Sequence, residues 1–206
     1  MINIKYINST RSKKRINSNR FIYEKISKSI IDSLDLIKIR FENILEIGIN
    51  ENTTFEYLSK KFNNSKFLRV DSNEINILNK NKYEFFKQNI DQWNLEKDKY
   101  DLIFSNCYSF ISNSLEETLG NINYSLKDEG FFILAIPEKN NIYQLQNSLI
   151  KADLEMYNGV YQRVNPTYDV DYILTKLKKF QFNGSIINTD KFIIEYNNFD
   201  KLLNDV

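Results

Sequence analysis

The 206-residue chain has no histidine, one cysteine, two prolines and five glycines, and each scarcity removes a class of chemistry. Without imidazole there is no Ser-His-Asp or Cys-His nucleophile system, no His-ligated zinc or haem, and no 2-His-1-carboxylate iron site. The lone Cys107 forms neither an internal disulfide nor a thiolate cluster, a usage that suits a reducing compartment. As a nucleophile it lacks a histidine to lower its pKa, so simple packing is its expected role. No apolar run approaches the length of a membrane span, and residues 1–20 lack the apolar core of a secretory signal, so a cytoplasmic location is expected. With 28 basic and 27 acidic side chains the net charge is +1, which supplies no overall field to gather nucleic acid or an anionic membrane.

At 42% hydrophobic residues the chain supports one sizeable core and is too short for two independent ones. Arg11, Lys13, Lys14, Arg15 and Arg20 lie in a stretch with little apolar patterning, so residues 1–20 read as a basic arm ahead of a single domain at 21–206. Those five charges have no interleaved aromatics and no RNA-binding motif follows them, so nucleic acid is not the expected partner. Asn, Ile, Lys and Tyr exceed Ala, Gly and Pro, the pattern of base-composition drift, which bears on every missing glycine.

Ile22, Ile26, Ile30, Ile31, Leu34 and Ile37 recur at spacings of three and four, which predicts a helix over Phe21–Arg40. Strand and helix signals then alternate. Strands are expected at Asn43–Ile47, Lys66–Val70, Tyr83–Gln88, Tyr100–Ser105 and Gly130–Ile136, with helices at Thr54–Phe62, Glu74–Asn81 and Leu115–Leu126. Such β-α-β units predict an α/β fold, a parallel sheet with helices on both faces. Beyond Pro137, helices are expected at Asn141–Tyr157 and Val170–Lys179, and a hairpin from Ser185–Asn188 and Phe192–Tyr196, before Phe199–Val206 closes the chain.

In an open α/β sheet, ligands bind outside the carboxyl ends of the strands. The loop after the first strand runs from Glu46 through Gly48, Asn50 and Asn52 to Thr54, and Gly48 is its sole glycine. Asp71 ends the second strand, 23 residues after Gly48, where a carboxylate can accept hydrogen bonds from ribose hydroxyls. Asp128-Glu129-Gly130 reads as the turn into the fifth strand, with the glycine supplying positive φ.

Tyr100-Asp101-Leu102-Ile103-Phe104-Ser105-Asn106, the helix through Leu126, and Gly130-Phe131-Phe132-Ile133-Leu134 resemble the later motifs of S-adenosylmethionine (SAM) dependent methyltransferases of class I. The chain is similar to the branch holding the malonyl-carrier-protein methyltransferase of biotin synthesis and the mitochondrial complex I assembly factor that acts as an arginine hydroxylase. Arg11-Ser12-Lys13-Lys14-Arg15, Phe21-Ile22-Tyr23-Glu24-Lys25, Ile142-Tyr143-Gln144-Leu145, Ala152-Asp153, Arg163-Val164-Asn165-Pro166 and Thr189-Asp190 extend the resemblance over nearly the whole chain.

The resemblance implies a Rossmann-like sheet without the family's last strand, leaving an edge through which oligomers could form. It also implies SAM as the cofactor, if any cofactor is bound. Glu46, Gly48 and Asp71 would hold its amino-acid end and ribose, Asn89 or Asp91 with Trp93 its adenine, and Asn106 and Tyr108 would face the substrate. No residue is assigned to catalysis or to a metal. Several positions depart from the family pattern. Asn50 and Asn52 replace two glycines, with side chains expected where the methionine part of SAM would lie; Asn89 replaces an acid; Phe110-Ile111 replaces a His-Trp pair; Gln146 replaces an arginine. Two readings stand: a scaffold or assembly factor with degraded cofactor binding, partnered by a respiratory-complex subunit or assembly protein, and an active methyltransferase acting on a protein or carrier-linked substrate. The complex I branch adds the mitochondrial matrix as an alternative location.

Overall fold

The computed structural model describes residues 21–73, 80–108, 112–165 and 167–205. Five parallel strands form one sheet in the order β3-β2-β1-β4-β5. They are β1 Asn43–Ile47, β2 Lys66–Asp71, β3 Glu84–Lys87, β4 Tyr100–Asn106 and β5 Leu126–Ala135. The helices are α1 Phe21–Asp35, α2 Thr53–Lys61, α3 Leu115–Ser125, α4 Tyr143–Tyr157, α5 Val170–Lys179 and α6 Phe199–Asp205, with a 3-10 turn at Lys80–Lys82. The expected α/β architecture with helices on both faces is therefore present. From β1 the chain builds outward to β3, then returns to lay β4 on the other side of β1. That reversal leaves a crevice between the carboxyl ends of β1 and β4, where open α/β sheets bind ligands.

Period-two alternation sorts the strand residues between two cores. Ile44, Phe67, Leu102 and Phe104 pack with Ile30 and Leu34 of α1 and Phe55 and Leu58 of α2. Leu45, Ile47, Val70 and Ile103 pack on the opposite face with Ile122 of α3. Glu46, Arg69 and Asn106 share the face of the first group, which puts polar groups under α1 and α2.

Several boundaries differ from the sequence reading. α1 stops at Asp35 because Leu36 and Ile37 bond back to Ser33 and Leu34, a tightened last turn, although Ile37 still packs on the core. Residues 74–79 of the expected Glu74–Asn81 helix lie outside the described residues, as do the basic arm and the Phe110-Ile111 pair. β5 begins at Leu126, directly after α3, and Glu129 rather than Gly130 takes the positive φ of 62°. Gly130 is needed for close approach instead, since a Cβ there would fall 2.8 Å from Leu126 Cγ and 2.9 Å from the Lys127 carbonyl.

The hairpin expected from Ser185–Asn188 and Phe192–Tyr196 does not form among the described residues; Ile186 and Ile193 are 88% and 81% exposed. Apolar alternation makes a strand only where a neighbouring edge accepts its hydrogen bonds, and β5 ends the sheet with no strand on its outer side among the described residues.

Behind β5, Leu115, Leu119 and Ile173 join α3 to α5, and Glu116 takes both Lys176 and Lys179. Those two ammonium groups lower the Glu116 carboxyl from 4.5 to about 2. Its ionised form therefore supports the fold fully above pH 4.5, and that support is lost as pH falls toward 2. The urea midpoint of Glu116→Gln should lie below that of the parent at pH 7, with the gap closing by about pH 2; a gap constant with pH would contradict the clamp.

Candidate functional site

Gly48 follows β1 with a φ of 82°, a left-handed geometry that glycine adopts without strain. Its N–H donates to the Val70 carbonyl at 2.7 Å, which turns the loop over the end of β2. A Cβ on Gly48 would overlap the ring of Tyr108, so the glycine is also required for close approach. Tyr108 is 2% exposed and belongs to the core cluster of Leu45, Ile47 and Val70. Its hydroxyl donates to Ser72 Oγ at 3.1 Å and accepts from Ser72 N–H at 3.3 Å. The expected substrate-facing tyrosine is thus packed into the crevice floor.

Asn50, at the position of the first missing glycine, reaches across the crevice from β1 to β4. Its Nδ2 donates to the carbonyl of Asn106 at 2.6 Å and to that of Cys107 at 3.2 Å. Asn52 does something different. Its Oδ1 accepts from Arg69 Nη1 at 2.9 Å, so its side chain turns under the sheet and not into the ligand crevice, contrary to expectation.

Arg69 is fully buried. Its guanidinium pairs with Glu46, donates to the Glu51 carbonyl at 3.3 Å, and lies 4.4 and 4.9 Å from the ring centroids of Phe55 and Tyr83. Glu46 is accordingly a structural counter-ion under α2 rather than a group facing a ligand. Burial pushes its carboxyl up to about 7 against the pull of Arg69.

Asp71 is fully buried and already engaged. Its Oδ2 accepts the Ile49 N–H at 2.7 Å and its Oδ1 the Asn73 N–H at 3.0 Å, which pins the first loop to the second. Asn106 turns its side chain toward α1, where Nδ2 donates to the Tyr23 carbonyl at 3.0 Å and to Ser27 Oγ at 2.9 Å. Asn89 and Asp91 form a local turn through an Asn89 Oδ1 to Asp91 N–H bond of 3.2 Å. Asp91 also accepts from the backbone and side-chain amides of Asn113 at 2.9 and 2.6 Å. Trp93, expected at the adenine end, donates its indole N–H to Ser125 Oγ at 3.0 Å and so faces α3.

The structure brings Gly48, Asn50, Asp71 and the backbone of Asn106 to one crevice and draws Glu46, Asn52 and Trp93 away from it. Sequence reading missed Arg69, which a single charge inside an apolar strand could have signalled. It also missed Gln88, 8% exposed, with both side-chain amide atoms lacking a partner among the described residues.

Cys107 has a φ of 52° and is half-buried, and burial pushes its thiol up to about 12, far from a nucleophile's range. Two positions of the family resemblance, Asp153 and Arg163, meet in an ion pair, with Arg163 Nε 2.8 and 3.0 Å from the two Asp153 oxygens and Nη2 2.5 Å from Oδ1, which ties α4 to the following loop. A trough of about 3510 Å³ opens along β5 and reaches Asn50 and Cys107, but Gly48, Asp71 and Tyr108 do not line it. Among the described residues no group of three His, Cys, Asp or Glu side chains is placed to hold a metal, and no helix is long and apolar enough to cross a membrane.

The strand order, the crevice at its reversal and the glycine turn after β1 define a Rossmann-like fold, and the proteins the chain resembles support a place in the class I methyltransferase superfamily. Within it, the chain is 26% identical over 190 residues to the human protein named arginine-hydroxylase NDUFAF5, mitochondrial, covering 90% of this chain and 55% of that one. It is 20% identical over 181 residues to malonyl-(acyl-carrier protein) O-methyltransferase 1 of Coxiella burnetii, covering 88% and 61%. The chain thus spans a little over half the length of these relatives. Among solved structures, the plantazolicin methyltransferase BpumL, bound to a substrate analogue and SAH (S-adenosylhomocysteine), superposes with a TM-score of 0.62 at 19% identity, over 85% of this chain and 70% of that one. No family model matches the chain.

Removing Arg69 alone would strand Glu46 in the core, so Arg69→Met should cost about 3–5 kcal/mol in denaturant unfolding. Arg69→Met combined with Glu46→Leu should recover most of that loss, because a buried ion pair is often replaceable by apolar packing. Equal stability of the single and double variants would contradict the pairing.

Proposed function

We infer that this chain is a methyltransferase-fold scaffold or assembly factor whose SAM binding is degraded or lost. The observation that carries the reading is the Asn50 side-chain amide on the carbonyls of Asn106 and Cys107. At the crevice where the fold places ligands, the acceptors that would take a ligand's ammonium group are already satisfied. Asp71 points the same way, since both of its oxygens hold loop N–H groups that a ribose would have to displace. The residues present do not fit SAM in this arrangement, so no methyl-transfer step is derived from them.

A protein partner fits the exposed side chains of α4 and the loop after it. Leu154 and Tyr157, three residues apart on one face of α4, and Tyr161, whose ring meets that of Tyr157 edge to face at 5.6 Å, are all more than half exposed, the kind of apolar surface that marks an interaction site. By the sequence resemblance to the complex I assembly-factor branch, the partner is a respiratory-complex subunit or another assembly protein, met in the cytoplasm or the mitochondrial matrix. The hydroxylase activity in that relative's name is not carried over, because this chain has no histidine and its described carboxylates and thiol do not cluster. Active methyl transfer to a protein or carrier-linked substrate is the competing reading.

Calorimetric titration of the full chain with SAM and SAH separates the two. The scaffold predicts no heat of binding at millimolar ligand. A micromolar Kd for either ligand would overturn the scaffold reading.

A further inference from the structure

Asn50 accounts for one end of the crevice only. Cys107, left-handed at the end of β4, turns the chain so that the next side chain falls back over β1. The Tyr108 ring then lies on Gly48, with its hydroxyl bonded to Ser72, the residue after Asp71. It therefore spans the ends of β1 and β2, beside the carboxylate where a ribose would be held. We propose that Tyr108 is the residue that decides nucleoside entry, an aromatic side chain standing in for a flat aromatic ligand. The inference rests on the reading of a closed crevice and divides that closure in two: Asn50 shuts the amino-acid end and Tyr108 the nucleoside half.

Shape and surroundings both support the assignment. The ring is flat, apolar on its faces and hydroxyl-bearing at one end, and it packs in one cluster with Ile47, Val70 and Ile90. Those walls belong to β1, β2 and the loop after β3. Nearby, the Gln88 N–H donates to the Asp71 carbonyl at 3.0 Å, while its side-chain amide keeps a donor and an acceptor buried without partners among the described residues. Buried amides are normally satisfied. Taking away the ring would leave an apolar slot among Ile47, Val70 and Ile90, with Ser72 at its polar end.

The test uses the full chain, its Tyr108→Ala, Tyr108→Leu, Tyr108→Phe and Asn50→Gly variants, and calorimetry with adenosine, p-cresol and SAH. Tyr108→Ala should bind both adenosine and p-cresol, with adenosine at least tenfold tighter than to the parent chain. Tyr108→Phe and Asn50→Gly should stay silent toward adenosine. Tyr108→Leu keeps an apolar filler, so it serves if the alanine variant melts without cooperativity; its adenosine affinity should fall between parent and Tyr108→Ala. The inference is overturned if a cooperatively melting Tyr108→Ala or Tyr108→Leu takes no adenosine, if it takes p-cresol alone, or if Asn50→Gly opens the nucleoside half by itself. SAH binding to the parent chain would overturn the closed-crevice reading instead, and that outcome is separate from all of these.

Discussion

Two backbone carbonyls at the end of β4 must find donors, because a buried acceptor left unpaired costs free energy comparable to a lost hydrogen bond. In an open α/β sheet that reverses direction between β1 and β4, this is where a ligand would ordinarily supply them. Here the donor is the Asn50 side chain, which crosses the crevice and ties the β1 loop to β4. The geometry of the first loop follows from that tie. It needs Gly48 in its left-handed turn, Asp71 to hold the Ile49 N–H, and Glu51 to take over the start of α2 by accepting from Thr53.

The second asparagine completes the arrangement from below. Asn52 precedes α2, where an asparagine commonly caps the helix through its side chain. Its side chain makes no capping bond and is drawn to Arg69. A buried guanidinium is costly unless paired, and Glu46, Asn52 and the Glu51 carbonyl take one donor from each of its three nitrogens beside two aromatic rings. Glycine at either position would leave Arg69 or the β4 carbonyls short of a partner. Base-composition drift explains how asparagine could arrive at both places, whereas the bonds explain what each now does.

The strand pattern was legible because period-two apolar runs separated by turn residues report burial directly, and all five strands fall within a few residues of their expected positions. Gly48 and Asp71 were legible for the same local reason, since each sits at a strand end. Tertiary facts were not. Glu46 reads as a ligand group until the register Glu46 to Arg69 turns it into a counter-ion. Asn50 reads as an obstruction until β4 arrives beside it. Residues 185–196 read as a hairpin from alternation alone, and only the open outer edge of β5 shows that alternation has no sheet to join.

The central claim is that the Asn50 amide, and not a ligand, satisfies the end of β4. Amide hydrogen exchange of the Asn50 side chain, followed by NMR with and without millimolar SAH, reads it most directly. The account predicts side-chain N–H protons protected well beyond those of an exposed asparagine and unmoved by SAH. Exchange at the rate of a free side-chain amide, or a shift of those resonances on adding SAH, would contradict it.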